Sequence, residues 1–291
     1  MSRIFEALQR SESERAGLSF VETELGPEFL LATENREVLD EFRSLIPSPG
    51  PDSRLACISD PTSLAAEKFR TLAVRLRQLR QSSQQSSQLK RVLITSAVPE
   101  EGKSLCAANL ATSLARNREQ RTLLIEGDLR RPTIRQSLGL SPVSGLTDWL
   151  RGDVVLDEIL CRIDPPGCWF LPAGRPVENA MELMEAGKMS ELFDRISPMF
   201  DWIVIDSTPV VPLADAVVWA RHSDGVLLVA REGKTEKQPL TKAVEILSRN
   251  NLLGILLNGS TNTNYNHYYH TYVSRPGQNR PSQDGEVEAS S

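Results

Sequence analysis

The sequence predicts an α/β domain built on a mostly parallel sheet with helices on both faces. Three observations carry that reading. Between Lys90 and Asn258, short β-branched apolar runs alternate with helical stretches. The runs are apolar almost throughout rather than at every second residue, the pattern of strands covered on both sides by crossover helices. The first run passes straight into a loop ending Gly-Lys-Ser and then into a helix, which places a glycine-bearing turn at the carboxyl end of a strand. With 291 residues, 40% of them hydrophobic and 24% charged, the chain can bury a core without disulfide or metal support.

Residues 1–50 read as a helical and linker lead segment. Ile4, Phe5 and Leu8 share one face of a short helix, which can pack on its own core or dock on a partner or membrane surface. The run Pro47-Ser48-Pro49-Gly50-Pro51 breaks any helix or central strand. Residues 51–89 hold an amphipathic helix over 62–80 and a loop from Gln81 to Gln88. In the helix, Ala65, Phe69, Leu72, Leu76 and Leu79 form the apolar stripe.

Residues 90–260 form the α/β domain. Its strands are Val92–Thr95, Leu123–Ile125, Trp202–Ile205, Val226–Val229 and Ile255–Leu257, with a further apolar strand after Cys168. Helices over Leu105–Asn117, Met189–Ile196, Leu213–Ala220 and Leu240–Arg249 separate them. Residues 261–291 are polar and almost free of aliphatic side chains, which predicts a disordered tail.

Charge and cysteine usage narrow the function. The 33 Lys and Arg against 38 Asp and Glu give a net charge of −5, without the basic footprint of a nucleic-acid binder. Cys57, Cys106, Cys161 and Cys168 lack metal-ligand spacing and read as buried free thiols in a reducing compartment. The N-terminus has no apolar signal core, and no window approaches 18 uncharged apolar residues. These features predict a cytoplasmic chain that does not span a membrane by itself.

The chemistry is concentrated at Ala97-Val98-Pro99-Glu100-Glu101-Gly102-Lys103-Ser104, a phosphate-loop pattern with alanine for the first glycine. Amides of such a loop wrap a phosphate at a helix N-terminus, the lysine adds a point charge and the serine hydroxyl ligates Mg²⁺. This defines a P-loop NTPase fold with Glu101, Gly102, Lys103, Ser104 and Leu105 as the nucleotide-binding set. Asp206 ends the strand Trp202–Ile205, and Glu126 and Asp128 follow Leu123–Ile125. In a parallel sheet all these strand ends share one carboxyl edge, so the acids converge on the loop.

Those segments together resemble the bacterial tyrosine kinases, in the cytoplasmic CpsD/CapB type of capsule and exopolysaccharide synthesis. The resemblance runs from about Glu67 to the C-terminus. It rests on Ser96–Ser104, Leu124–Pro132, Leu171-Pro172-Ala173-Gly174, Ile205–Val211 and the tyrosine-bearing tail. It implies ATP and Mg²⁺ as cofactors and places Lys103 and Ser104 on them. It further implies Asp206 as the residue ordering the metal, Glu126 and Asp128 as supports for metal and acceptor, and Asn258 against the adenine. A membrane chain-length regulator of polysaccharide export, a homo-oligomer and a cognate tyrosine phosphatase are the implied partners. The chain would then be recruited to the inner face of the plasma membrane through that regulator.

Three positions depart from the family pattern. Glu126 stands where aspartate is usual, Thr208 where a proline is frequent, and Ala73 where the oligomer motif begun by Glu67 and Arg70 calls for arginine. An extra methylene at residue 126 displaces a carboxylate by about an ångström, enough to cost ~100-fold in rate.

All four tyrosines of the chain, Tyr265, Tyr268, Tyr269 and Tyr272, fall within eight residues of the tail. Beside a phosphate loop they read as phosphoacceptors. His267 and His270 lie among them without further metal ligands, and His222 reads as a helix-end histidine. The sequence therefore predicts an ATP-dependent protein-tyrosine autokinase acting on its own tail. The competing reading is a non-kinase P-loop ATPase switch, or a dormant kinase scaffold, acting through nucleotide-dependent association with a membrane partner.

Overall fold

The computed structural model describes residues 43–50, 53–82, 89–185 and 187–260. The described residues all fall within one compact unit, and residues 1–41 lie outside them, as do the predicted tail and its tyrosines.

Eight strands form a single sheet. They are β1 (Ser44–Leu45), β2 (Arg91–Ser96), β3 (Thr122–Glu126), β4 (Cys161–Ile163), β5 (Cys168–Leu171), β6 (Trp202–Asp206), β7 (Gly225–Arg231) and β8 (Leu252–Asn258), in the order β1-β4-β5-β3-β6-β2-β7-β8. Every pairing is parallel except β4 with β5. The longer helices are α1 (Leu64–Ser82), α2 (Lys103–Ala115), α3 (Lys188–Ile196), α4 (Asp215–Arg221) and α5 (Lys237–Leu247). Strands β2, β3 and β6 are buried along almost their whole length, as their unbroken apolar runs require. Helix α2 lies against them with ten successive buried residues, Cys106 to Ala115, because Ala107, Ala108 and Ala111 let it approach the sheet closely.

The structure corrects several boundaries. Helix α1 runs on to Ser82, so Gln81 and Ser82 belong to it and not to the polar loop, whose remainder lies outside the described residues. Its buried stripe is Ala66, Ala73 and Leu76, flanked by half-buried Phe69 and Leu72, while Ala65 and Leu79 are exposed. Phe69, Leu72 and Leu76 keep the side the stripe predicts, and small Ala66 and Ala73 replace Ala65 and Leu79 at its edges. The same fact accounts for Ala73: at 1% exposure it faces the core, where arginine would bury an unpaired charge.

The lead segment is not separate at its end. Ser44 and Leu45 pair with Arg162 and Ile163 at the sheet edge, and the Ser48 amide donates to the Leu138 carbonyl. Two-residue β1 has no hydrophobic period to read, and β4 carries a charge at its middle position, so neither was legible as a strand. Cys168 itself opens β5, and the four cysteines are buried free thiols. Among the described residues no helix is long and apolar enough to cross a membrane.

One buried amide pins the segment ahead of α1. Asn109, in the middle of α2 and 1% exposed, accepts from the Cys57 amide (2.9 Å) and donates to the carbonyls of Arg54 (3.1 Å) and Leu105 (3.0 Å). Asn109→Ala leaves a buried amide and carbonyl unmatched and is expected to lower stability by about 2–4 kcal/mol, read as the shift in urea midpoint at constant slope.

Candidate nucleotide-binding site

Strand register brings the site together. Ile94 of β2 and Glu126 of β3 both stand opposite Asp206 of β6, so β3 and β6 end level at the carboxyl edge and β2 runs two residues further, to Ser96. From there β2 runs into the loop Ala97–Gly102. The loop turns sharply enough that Glu100 takes φ 65° and Gly102 φ 90°. A φ of 90° favours glycine at residue 102, and a Cβ there would come within 2.2 Å of the Asn258 side chain and displace it. Helix α2 begins at Lys103 with its amides pointing into the loop.

Lys103 is the hub. Its ammonium lies 3.0 Å from Asp128 Oδ2 and 3.4 Å from the Ser104 hydroxyl. Burial works against the cation, but Asp206 and Asp128 outweigh burial and hold it above the ordinary lysine range. Asp128 is fixed by accepting the Arg131 amide at 3.0 Å.

Asp206 is fully buried, and neither of its oxygens has a hydrogen-bond partner. Burial raises its carboxyl to about 7, with Lys103 and the Ser104 hydroxyl opposing and Asp128 and Glu126 adding to the rise. An orphaned, buried carboxylate beside a serine hydroxyl fits a hydrated divalent cation, whose charge and water would satisfy both oxygens. Among the described residues no three or more His, Cys, Asp or Glu side chains form a ready cage. A cation here would therefore complete its shell with water and phosphate oxygen.

Glu126 is held by backbone amides. Its Oε1 accepts from the amides of Ile134 (2.6 Å) and Arg135 (3.1 Å), and its Oε2 from that of Ala173 (3.2 Å). Burial pushes this carboxyl up, against the pull of those amides and of Arg135. Its contacts are thus to the walls behind the cleft, and Asp128 is the acid of the pair that faces Lys103. Asn258 donates to the Glu101 carbonyl (2.9 Å) and accepts from the Gly259 amide (2.9 Å), closing the loop from the far side. Thr208 is fully buried and its carbonyl accepts the Thr95 hydroxyl at 2.8 Å, so its position is held without proline.

A cleft of about 670 Å³ opens between the loop and the segment after β3, lined by Lys103, Ser104, Asp128, Arg131, Ile134 and Leu213 among others. Leu55, at the end of the strap that Asn109 holds, also lines it. Sequence pattern gave no sign of Leu55, since its contact depends on a fold across 50 residues. Arg130 is drawn away from the cleft centre into an ion pair with buried Asp215 at 2.6 Å, which ties the loop after β3 to α4.

A strand, phosphate loop, helix and converging acids at one sheet edge define a P-loop nucleotide-binding protein. Its relatives specify the kind. The chain is 33% identical over 213 residues to tyrosine-protein kinase YwqD of Bacillus subtilis (strain 168), covering 72% of this chain and 88% of that protein. It is 31% identical over 206 residues to the succinoglycan biosynthesis transport protein ExoP of Rhizobium meliloti (strain 1021), 69% of this chain but 26% of that longer protein. Among solved structures, the chimerical protein CapA2B2 superposes with a TM-score of 0.65 at 26% identity, over 77% of this chain and 97% of that one. No family model matches the chain. The chain belongs to the bacterial tyrosine kinase family.

A carboxyl held at about 7 when folded, against an ordinary value near 3.9, binds its proton more tightly in the folded protein. Stability therefore falls as pH rises between those values. Without divalent cation, Asp206→Asn is expected to melt above wild type at pH 8, by roughly 5 °C, with the gap closing toward pH 4. Thermal melts across that range check it, and a gap independent of pH counts against the assignment.

Proposed function

We propose that this chain is an ATP- and Mg²⁺-dependent protein-tyrosine kinase that phosphorylates its own C-terminal cluster, Tyr265, Tyr268, Tyr269 and Tyr272, in the control of exopolysaccharide synthesis and export. Family membership and the Lys103–Asp128 pair facing the cleft support the reading. The likeness to ExoP, named for succinoglycan biosynthesis and transport, supports the polysaccharide setting.

The residues present divide the work. The amides of Gly102, Lys103 and Ser104, at the N-terminus of α2, hold the phosphates, with the Lys103 ammonium on the outer ones. Ser104 and Asp206 would hold Mg²⁺, which would neutralise charge on the phosphate oxygens. Asp128 faces the cleft and accepts the proton of the tyrosine hydroxyl as that oxygen bonds to the γ-phosphorus. The bond from γ-phosphorus to the bridging oxygen breaks, and ADP leaves with the electron pair. Glu126 keeps the walls at residues 134–135 and 173 in place around Asp128 rather than touching the reacting atoms. Asn258 bounds the nucleotide on the adenine side.

A cytoplasmic chain recruited to the membrane by a chain-length regulator, self-association, and a phosphatase that resets the tail complete the proposal. Each phosphate adds about −1.5 to −2 charges to a stretch of eight residues, which favours dissociation of assembled copies.

Intact-mass measurement of the purified protein with ATP and Mg²⁺ tests this. Wild type is expected to gain phosphate steps of mass that phosphatase removes. Lys103→Met and the variant with the four tail tyrosines changed to phenylalanine are both expected to show none. Unmodified wild type, also in the presence of a membrane regulator, would leave a nucleotide switch whose tail is a docking peptide.

A further inference from the structure

The phosphate loop contains two glutamates, Glu100 and Glu101, in a cradle whose ligand is strongly anionic. The second is 2% exposed, so its charge cannot be dissipated by water. Its carboxylate is turned backward: Oε2 accepts the Val98 amide at 2.9 Å, and Oε1 accepts the hydroxyl of Thr235. That hydroxyl is itself oriented, because it accepts the Arg231 amide at 2.6 Å and so has its proton free for Glu101. Arg231 also donates to the Glu100 carbonyl at 3.2 Å. The end of β7 and the turn after it thus grip the loop through two side chains, and Thr235 is the one that holds the Glu101 carboxylate.

From this geometry we infer that Thr235 is a positioning residue that aims the Glu101 carboxylate away from the phosphates and so sets nucleotide affinity. Thr235 itself touches no substrate. Its role rests on the nucleotide-binding part of the proposed function. Without the hydroxyl, a buried carboxylate loses one of its two donors and is released toward the cradle, where it repels ligand charge. The penalty should therefore grow with the number of phosphates, and it should need the negative charge on Glu101.

Fluorescent ATP and ADP analogues, titrated into Thr235→Val, Thr235→Ser and wild type, separate this from plain structural damage. Thr235→Val should weaken ATP binding about tenfold and ADP binding less, with Thr235→Ser close to wild type. In a Glu101→Gln background, the Thr235→Val change should have little effect, since no charge remains to be misdirected. Two outcomes of these titrations overturn the inference: Thr235→Val binding as wild type does, or an equal loss in the Glu101→Gln background. Amide hydrogen exchange supplies a readout that needs no ligand. Exchange at Val98 should quicken in Thr235→Val and not in Thr235→Ser, and unchanged exchange sinks the inference. A wild type that binds neither nucleotide, yet shows the exchange effect, would refute the proposed function and leave the grip on the loop standing.

Discussion

Lys103 is a largely buried cation on the wall of the cleft, held by one acid at the end of β6 and one just beyond the end of β3, and the carboxyl edge of the sheet is organised around that constraint. Its charge is tolerable there because Asp128 lies 3.0 Å away and Asp206 stands behind it. The acids in turn are tolerable because the lysine is there. Asp206, with no hydrogen-bond partner, is the uncompensated remainder of the cluster, and its raised carboxyl expresses that deficit. Such a cluster is a poor stabiliser of a fold, since desolvation of each ion offsets much of the attraction. Its persistence in a fully buried sheet end makes sense as a site prepared for a ligand that brings its own charges.

Around that centre the chain arranges supports of a different kind, built from backbone amides. Glu126 gathers three of them, Asp128 one and Glu101 one. Glu126 and Glu101 are in this way held by local dipoles rather than by Lys103, whose ammonium is left to Asp128, Asp206 and the cleft. The ion pair of Arg130 with Asp215 and the strap held by Asn109 brace the two sides.

Much of this was legible in the sequence, for definite reasons. Unbroken apolar runs reveal strands buried on both faces, and a glycine-lysine-serine turn after such a strand allows few other uses. What escaped depended on distance along the chain. The pairing of Ser44 and Leu45 with β4, the strap that brings Leu55 to the cleft, and Thr235 behind Glu101 are contacts across 118, 52 and 134 residues, with no periodicity to announce them. Glu126 shows the other limit. Its extra methylene suggests displacement from a metal when read in one dimension, whereas in the fold it gives the reach to cap residues 134 and 135 while touching residue 173. Ala65 and Leu79 mislead for a simpler reason: a stripe read on a helical wheel says nothing of which neighbour the helix meets.

The last strand carries one more consequence. Asn258, its final residue, closes on the phosphate loop, and Tyr265 follows seven residues later. At ~3.5 Å per residue, that tether keeps the first tyrosine within about 25 Å of the loop. A segment tethered so closely to a folded domain meets any site in that radius at an effective concentration on the order of millimolar, whatever the dilution of the protein. Affinity for a detached peptide is thus a poor guide to how readily the tail is reached, and selection on the tail can act through leash length as much as through recognition.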